Sequence, residues 1–381
     1  MNYDMKTISK ILVLAANMAL SCAISAQVFN CGSSGTLGDK VVTTNEVWNI
    51  PDNGQFHLKS LVVEEAATLS FRKQTNGLNP PVYLLAQSNV TIHGTISVDG
   101  QPGAHGASGG EGGPGGFSGG GYGHSAAGLL PGFGHGPGAI GVGGYFGSVY
   151  GNLLLMPLIG GSGGRGADGN PGSSGGGGGG AILIASDIQV TLNGRVSARG
   201  GSGVTNVSGG GSGGGVRIVT PRIIGNGTID IGGYEYGSHS GGSGRFRLDR
   251  LPANNFTLNV VGTSGENPLW RIGRNPVIFP ANPPQLAILQ AAGVDIAEGT
   301  NAAVIITLST GSPPQQDVTL QARNFTGEFT TYIDVTPENG NNIRTSFVWN
   351  VGTNKLATTN ITVQIPGNTP TRITAWAEVS F

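Results

Sequence analysis

The chain holds only two cysteines, Cys22 and Cys31. One of them sits inside what reads as an export leader, so no intramolecular disulfide framework can hold the fold. Charge is also scarce. Lys, Arg, Asp and Glu make up 11% of the residues, against roughly a quarter in ordinary globular chains. Neutralising nucleic-acid phosphates takes a basic face, and with a net charge of −1 there is no excess to build one, so nucleic acid is excluded as a partner. No stretch beyond the leader approaches the ~20 consecutive apolar residues of a spanning helix, so no transmembrane span is expected in the mature chain. Glycine, at 70 residues, fills the composition together with serine and threonine.

The first residues carry Lys6 and Lys10, then the apolar run Ile11 to Ala16 with Met18, Ala19 and Leu20, then small residues ending Ser25-Ala26-Gln27. A positive region, a short apolar region and small residues in that order predict a secretory signal peptide over 1–26, cleaved after Ala26. A lipoprotein leader would use Cys22, but Leu20 stands one place from where a lipobox requires leucine. Loss of Lys6, Lys10 and Asp4 leaves the mature chain with a net charge near −2. An exported chain of this kind is held by packing and backbone hydrogen bonds.

Two stretches place glycine at every third position: Gly100, Gly103, Gly106, Gly109, Gly112 and Gly115, then Gly163, Gly166, Gly169, Gly172, Gly175 and Gly178. That period matches the three-residue turn of a polyproline-II helix, in which a position without a side chain lets backbones approach closely. Collagen shares the period but needs three chains and far longer arrays. These runs are short and poor in proline.

Around them a strand unit recurs: an apolar strand, a short corner, then a second strand closing on glycine. Val82 to Ala86 is followed by Val90 to Gly100, Ala181 to Ala185 by Val190 to Gly201, and Val216 to Thr220 by Ile223 to Gly233. A fourth copy begins at Arg245-Phe246-Arg247-Leu248 and then departs from the pattern. Aligning Gly94, Gly194 and Gly227 brings Ile96, Val196 and Ile229 into register, as it does Val98, Ala198 and Ile231. Alternate positions are thus apolar, as half-buried strands require. Two short strands cannot bury their own apolar face, whereas stacked copies can, which is the logic of a β-solenoid.

Gly194 and Gly227 are 33 residues apart but Gly94 and Gly194 are 100 apart. The excess predicts a glycine-rich insertion over about 100–180 that leaves the stack and returns. Flexible Gly/Ser linkers lack large side chains, yet this segment carries Phe117, Tyr122, Leu129, Leu130, Phe133, Tyr145, Phe146, Tyr150 and Leu153 to Met156. The expectation is that the two triplet runs lie side by side as polyglycine-II-like strands, with the apolar residues packed at the far end of the loop.

The domain division expected is a β-solenoid over 27–273, a proline-rich linker over 274–285 and an Ig-like β-sandwich over 286–381. In the last part Val304, Ile306 and Leu308 alternate, as do Val318, Leu320 and Ala322; Phe347, Trp349 and Val351; and Ile361, Val363 and Ile365. A final strand sets Ile373, Ala375, Ala377, Val379 and Phe381 on one face with Thr374 and Trp376 on the other. Short strands separated by turns such as Gly311-Ser312-Pro313-Pro314 fit that module.

Through Gly176 to Ile184, Gly194 to Gly203, Gly209 to Ile218 and Gly225 to Gly233, the chain resembles secreted, glycine-rich bacterial surface proteins. These combine pectin-lyase-like β-helix coils, interrupted by glycine loops, with a small C-terminal β-sandwich. The resemblance implies an all-β fold and is nearly silent on activity, because β-helices serve as lyases, adhesins and inert stalks alike.

A lyase needs clustered carboxylates and a base, and a hydrolase two carboxylates facing the sugar. Asp99, Asp168, Asp187, Asp230 and Asp249 are dispersed and read as turn residues. His105, His124, His135 and His239 lack the short spacing of a metal-ligand pair. Arg217, Arg245 and Arg247 alternate with apolar residues and are expected on the outer face of a half-buried sheet. No Gly-Lys-Ser or Gly-Lys-Thr follows the glycine loops, so no phosphate cradle is expected.

No residue stands out as catalytic, and neither cofactor nor metal is expected. The function expected is that of a non-enzymatic secreted or cell-surface structural or adhesive protein, with extracellular polysaccharide or cell-surface components as its partner. A carbohydrate-active β-helix enzyme is the alternative. Ice or crystal binding is a third reading, weakened by the lack of threonine rows.

Overall fold

The computed structural model describes residues 29–73, 78–123, 134–136, 153–168, 172–205, 207–235, 239–250, 258–297, 306–325, 327–337, 343–351, 356–367 and 369–378. The leader with Cys22, and Leu129, Leu130, Phe133, Tyr145, Phe146, Tyr150, His124, Gly169, Val304, Val379 and Phe381, lie outside them. The chain is all-β. Among the described residues no helix is long and apolar enough to cross a membrane.

Seventeen strands form three parallel sheets. They run β1 (Asp39–Val42), β2 (Glu46–Asn49), β3 (Gln55–Leu58), β4 (Ser60–Val63), β5 (Thr68–Arg72), β6 (Val82–Ala86), β7 (Val90–Ile92) and β8 (Thr95–Ser97). After the insertion come β9 (Ala181–Ser186), β10 (Gln189–Leu192), β11 (Arg195–Ser197), β12 (Gly215–Thr220), β13 (Arg222–Ile224) and β14 (Thr228–Asp230). Then follow β15 (Arg245–Arg250), β16 (Asn259–Val261) and β17 (Leu269–Gly273). The sheet orders are β1-β4-β7-β10-β13, β16-β14-β11-β8-β5-β2 and β17-β15-β12-β9-β6-β3. Each turn of chain therefore adds one strand to each sheet, until β16 and β17 extend only two of them.

The expected register holds: Val196 pairs with Ile96 on one side and Ile229 on the other. All three are buried in one apolar cluster that runs the length of the stack. The unit itself differs from the sequence reading. The second strand breaks at Gly94, Gly194 and Gly225 to Gly227, so each turn has three strands. The pattern also begins earlier than expected, at β3 to β5, a stretch without a closing glycine that could mark the repeat.

β6, β7 and β8 pair directly with β9, β10 and β11, Val82 facing Ile182, so the chain between β8 and β9 is an insertion. Its centre is the segment 172–180, whose amides rotate among three neighbours. Gly177 donates to Gln101 O at 2.9 Å, Gly178 to Phe117 O at 2.8 Å and Gly179 to Ser212 O at 2.8 Å. Gly180 then returns to Val98 and Ser174 to Ala104, while Gly175 reaches Gly120 and Gly176 reaches Gly209. Its carbonyls accept from three further segments, through Gly110 and Gly113, Gly161 and Gly164, and Gly201. From Gly175 to Gly180 the enclosed backbone has room for no side chain. A Cβ on Gly177 would collide with Glu111 O, one on Gly178 with Gly161 O, and one on Gly179 with Ala198 O. The outer segments meet the centre with one residue in three: Gly100 and Gly103 face it, while Gln101, Pro102 and Ala104 are exposed. This explains six consecutive glycines at the centre and, at the rim, Gly100 and Gly103; Gly106 shares their spacing but has open space where a Cβ would stand.

Among the described residues, the apolar run at 153–158 does not pack at the loop's far end. Leu155 and Leu158 lie on the outer face of the β6–β9–β12 sheet, in a cluster with Phe29, Cys31, Leu85, Leu183 and Val219. That sheet carries apolar residues on both faces, and the outer one needs a cover. Ile278 joins the same cluster, and the Phe279 ring packs against Tyr83 with centroids 5.1 Å apart. The proline-rich stretch is therefore laid along the sheet.

The remaining strands form two antiparallel sheets. One is ordered β19-β18-β20-β23, from β18 (Gln285–Ala291), β19 (Val294–Asp295), β20 (Gln315–Arg323) and β23 (Leu356–Gln364). The other is β22-β21-β24, from β21 (Glu328–Pro337), β22 (Ile343–Asn350) and β24 (Thr371–Glu378). Val318, Leu320, Ile333, Val335, Trp349 and Val363 share the core between them. β21, the longest strand at 10 residues, was missed in the sequence. Ile306 and Leu308, expected in a strand, lie outside any strand.

Candidate functional site

The carboxylates singled out in the sequence do not converge. Asp99 Oδ1 accepts from Ser197 Oγ and from Arg199 N, both at 2.6 Å, tying one turn of the stack to the next. Asp230 accepts from Gly232 N at 3.1 Å and pairs with Arg195 and, at 3.7 Å, with Arg199. Both stand where strands hand over to glycine segments, with β11 between them. Asp187 Oδ1 accepts from Cys31 N at 2.6 Å, and Asp168 is exposed.

Arg217, Arg245 and Arg247 do point outward from the stack, but all three are buried. This corrects the expectation of a half-exposed face. Arg217 Nη2 donates to Asp249 Oδ2 at 3.0 Å and to the carbonyls of Asn275 and Val277 at 3.2 and 2.9 Å. Arg247 binds both oxygens of Asp249, at 2.7 and 2.6 Å, and reaches Leu153 O at 3.4 Å. Arg245 donates to Ile159 O at 3.1 Å. Burial pushes the Arg217 guanidinium below its usual range and Asp249 opposes that shift. The cluster fastens two stretches of backbone over the sheet, a structural role whose cover comes from parts of the chain far away in sequence.

His105 Nδ1 stands 3.5 Å from Ser173 Oγ at the rim of the glycine segments. His135 is held by its backbone, donating to Ser118 O at 2.8 Å and accepting from Gly163 N at 2.9 Å. His239 accepts from Gly210 N at 2.9 Å. Among the described residues no three His, Cys, Asp or Glu side chains gather as a metal site would require.

The densest half-exposed chemistry lies on the outer face of β22-β21-β24. Alternation along β21 sends Phe329, Ile333 and Val335 into the core and leaves Tyr332 and Asp334 on the other face. Tyr332 pairs across with Trp376 of β24, and Asp334 with Arg344 of β22. The Tyr332 and Trp376 rings stack with centroids 4.4 Å apart at 24°. Arg344 lies over both, 5.3 Å and 5.0 Å from their centroids. Asp334 fixes the group: Arg344 Nε and Nη2 donate to its two oxygens at 2.6 and 2.9 Å, and Trp376 Nε1 to Oδ2 at 2.9 Å. Such a patch offers aromatic carbon and a guanidinium in one fixed arrangement. The sequence reading placed Trp376 on this face but missed Tyr332, Asp334 and Arg344. The alternation of Phe329, Thr331, Ile333 and Val335 with Tyr332 and Asp334 was the available signal.

No family model, no curated protein and no solved structure matches this chain.

Proposed function

We propose that this is a non-enzymatic secreted or cell-surface structural and adhesive protein, exported by the leader 1–26, that binds extracellular polysaccharide. In this reading 27–273 is a β-solenoid whose glycine segments form a polyglycine-II-like bundle, 274–285 is the connection and 286–381 an Ig-like β-sandwich. The observation that carries it is the hydrogen bonding of 174–180, whose consecutive amides turn through three neighbours as three-fold extended strands do. A body saturated in this way is stiff without disulfides, which suits a chain with so few charges outside the cell.

The stacked Tyr332 and Trp376 with Arg344 support the adhesive half. Sugar rings present C–H faces to aromatics and hydroxyls to a guanidinium, and neutral or acidic glycans fit both. A glycan array on the mature protein, with reducing-sugar and lyase assays alongside, tests the reading. Binding without turnover, weakened at least tenfold in Trp376→Ala, is the expected result. Release of unsaturated or reducing ends would establish a carbohydrate-active enzyme instead.

A further inference from the structure

Exposed large apolar side chains in the parallel stack are concentrated at its two ends. Val41 and Val47 stand exposed on β1 and β2, which edge their sheets, and Val261, Leu269, Trp270 and Ile272 on β16 and β17 at the opposite edges. Trp270 and Ile272 pair in register with Phe246 and Leu248, which are fully buried. They continue the apolar rows of β15, yet remain 48% and 42% exposed. The interior rows thus run out at β17 with apolar side chains that stay half-exposed among the described residues.

Among the described residues, the chain after β17 leaves that end bare, whereas residues 33–37 run beside β3 at the other, Leu37 N donating to His57 O at 2.8 Å, and leave β1 and β2 at the edge. After β17, Asn275 N donates to Asp249 of β15 at 2.9 Å, Val277 O accepts from Arg217 of β12, and Phe279 meets Tyr83 of β6. The connection thus retreats along the sheet toward its middle. On the other side, Cys31 binds Asp187 and Ala86 O before Ser33 Oγ reaches Leu58 O at 2.8 Å. That segment arrives from the middle of the stack. Charge differs between the ends. Around β1 and β2, residues 33–54 hold Asp39, Glu46 and Asp52 against Lys40, whereas 258–274 hold Arg271 and Arg274 against Glu266.

We infer that the β16/β17 end of one molecule stacks on the β1/β2 end of a second copy, head to tail, prolonging the sheet whose two edges are β16 and β2. Edge strands carry unpaired N–H and C=O groups that template such pairing, and the contact would cover the exposed Trp270 and Ile272 at one end and Val41 and Val47 at the other. A tail-to-tail pair would set Arg271 and Arg274 against their own copies, whereas head to tail sets them against carboxylates. A heterologous contact of this sort does not close, and repeats into a filament. The inference rests on the strand stack of the proposed structural role and is independent of polysaccharide binding.

Sedimentation velocity of the mature protein, from micromolar to near-millimolar, tests it. Wild type is expected to form an open series of species growing with concentration. Val47→Glu and Trp270→Glu each block one end at an exposed position, and each alone should associate at least tenfold more weakly, with an unchanged circular dichroism spectrum. An equimolar mixture of the two variants retains one live end of each kind and should yield a discrete dimer. Wild type that stays monomeric throughout would overturn the inference, as would dimers of Val47→Glu alone, which mark a tail-to-tail pair. A monomer that still binds glycan overturns the stacking and leaves the adhesive reading standing.

Discussion

The amide of Gly177 donates to the carbonyl of Gln101 at 2.9 Å, joining the two arms of the glycine insertion. On that one residue the N–H is bonded to one neighbour, the carbonyl accepts from Gly201, and the place of a Cβ is taken by Glu111 O.

Gly177→Ala is therefore expected to destabilise by about 1–3 kcal/mol or more, the cost of overpacking against backbone that cannot move aside. Gly121→Ala, with nothing within 4 Å of the added methyl, should melt close to wild type. Thermal denaturation of the pair checks this. Equal melting would mean that the central segment is not enclosed.

Asp249→Asn removes the carboxylate shared by two buried guanidinium groups, Arg217 and Arg247. Stripping the partner from a buried charge costs about 3–5 kcal/mol. Protease sensitivity near Leu153 and near Asn275 should rise together, because both backbone stretches are held by these arginines. Cleavage at only one of them would show that the cluster does not act as a single fastening.

Burial, and then the charge of Arg372, lower the pKa of His135 from its ordinary 6.5. With the folded value below the unfolded one, the unfolded chain binds more protons as pH falls under about 6.5. The contribution is therefore fully present above that pH and is lost on acidification toward the folded value. His239 is shifted the same way, by burial first and then by Arg165. Melting temperatures from pH 7 to pH 5 should fall less steeply in His135→Gln than in wild type, with part of the slope remaining from His239. Parallel slopes would remove His135 from the account.

The Cys31 thiol is pushed up to about 12, by burial first and then by its hydrogen bond with Asp187. The thiolate is the reactive form, so a maleimide at pH 8 should leave the native protein unlabelled and modify Cys31 only on unfolding. Rapid labelling of the folded protein would place the thiol at the surface.

The parallel stack was legible because its strands repeat a local pattern. Ile96, Val196 and Ile229 occupy equivalent places relative to Gly94, Gly194 and Gly227, and pairing a strand with its own likeness sets the register. The glycine signal was equally local at Gly100 and Gly103, where the rim turns toward the centre and needs an empty position. Trp376 could be placed on the outer face of its strand by alternation alone. Its partners could not, because Tyr332 and Asp334 sit on a strand that was passed over, and Arg344 on another.

What the chain's own residues determined, then, was periodicity: which positions are apolar, which are empty, and where strands restart. Tertiary structure decided what covers each face. Arg217 alternates with apolar neighbours as a surface residue would, and is buried because backbone from 275–277 crosses above it. Leu155 belongs to the glycine insertion yet packs on the outside of the stack beside Phe29 and Ile278. Alternation records only the side of a strand on which a residue lies. Whether that side meets water depends on segments brought there from more than fifty residues away, and no local pattern encodes their arrival.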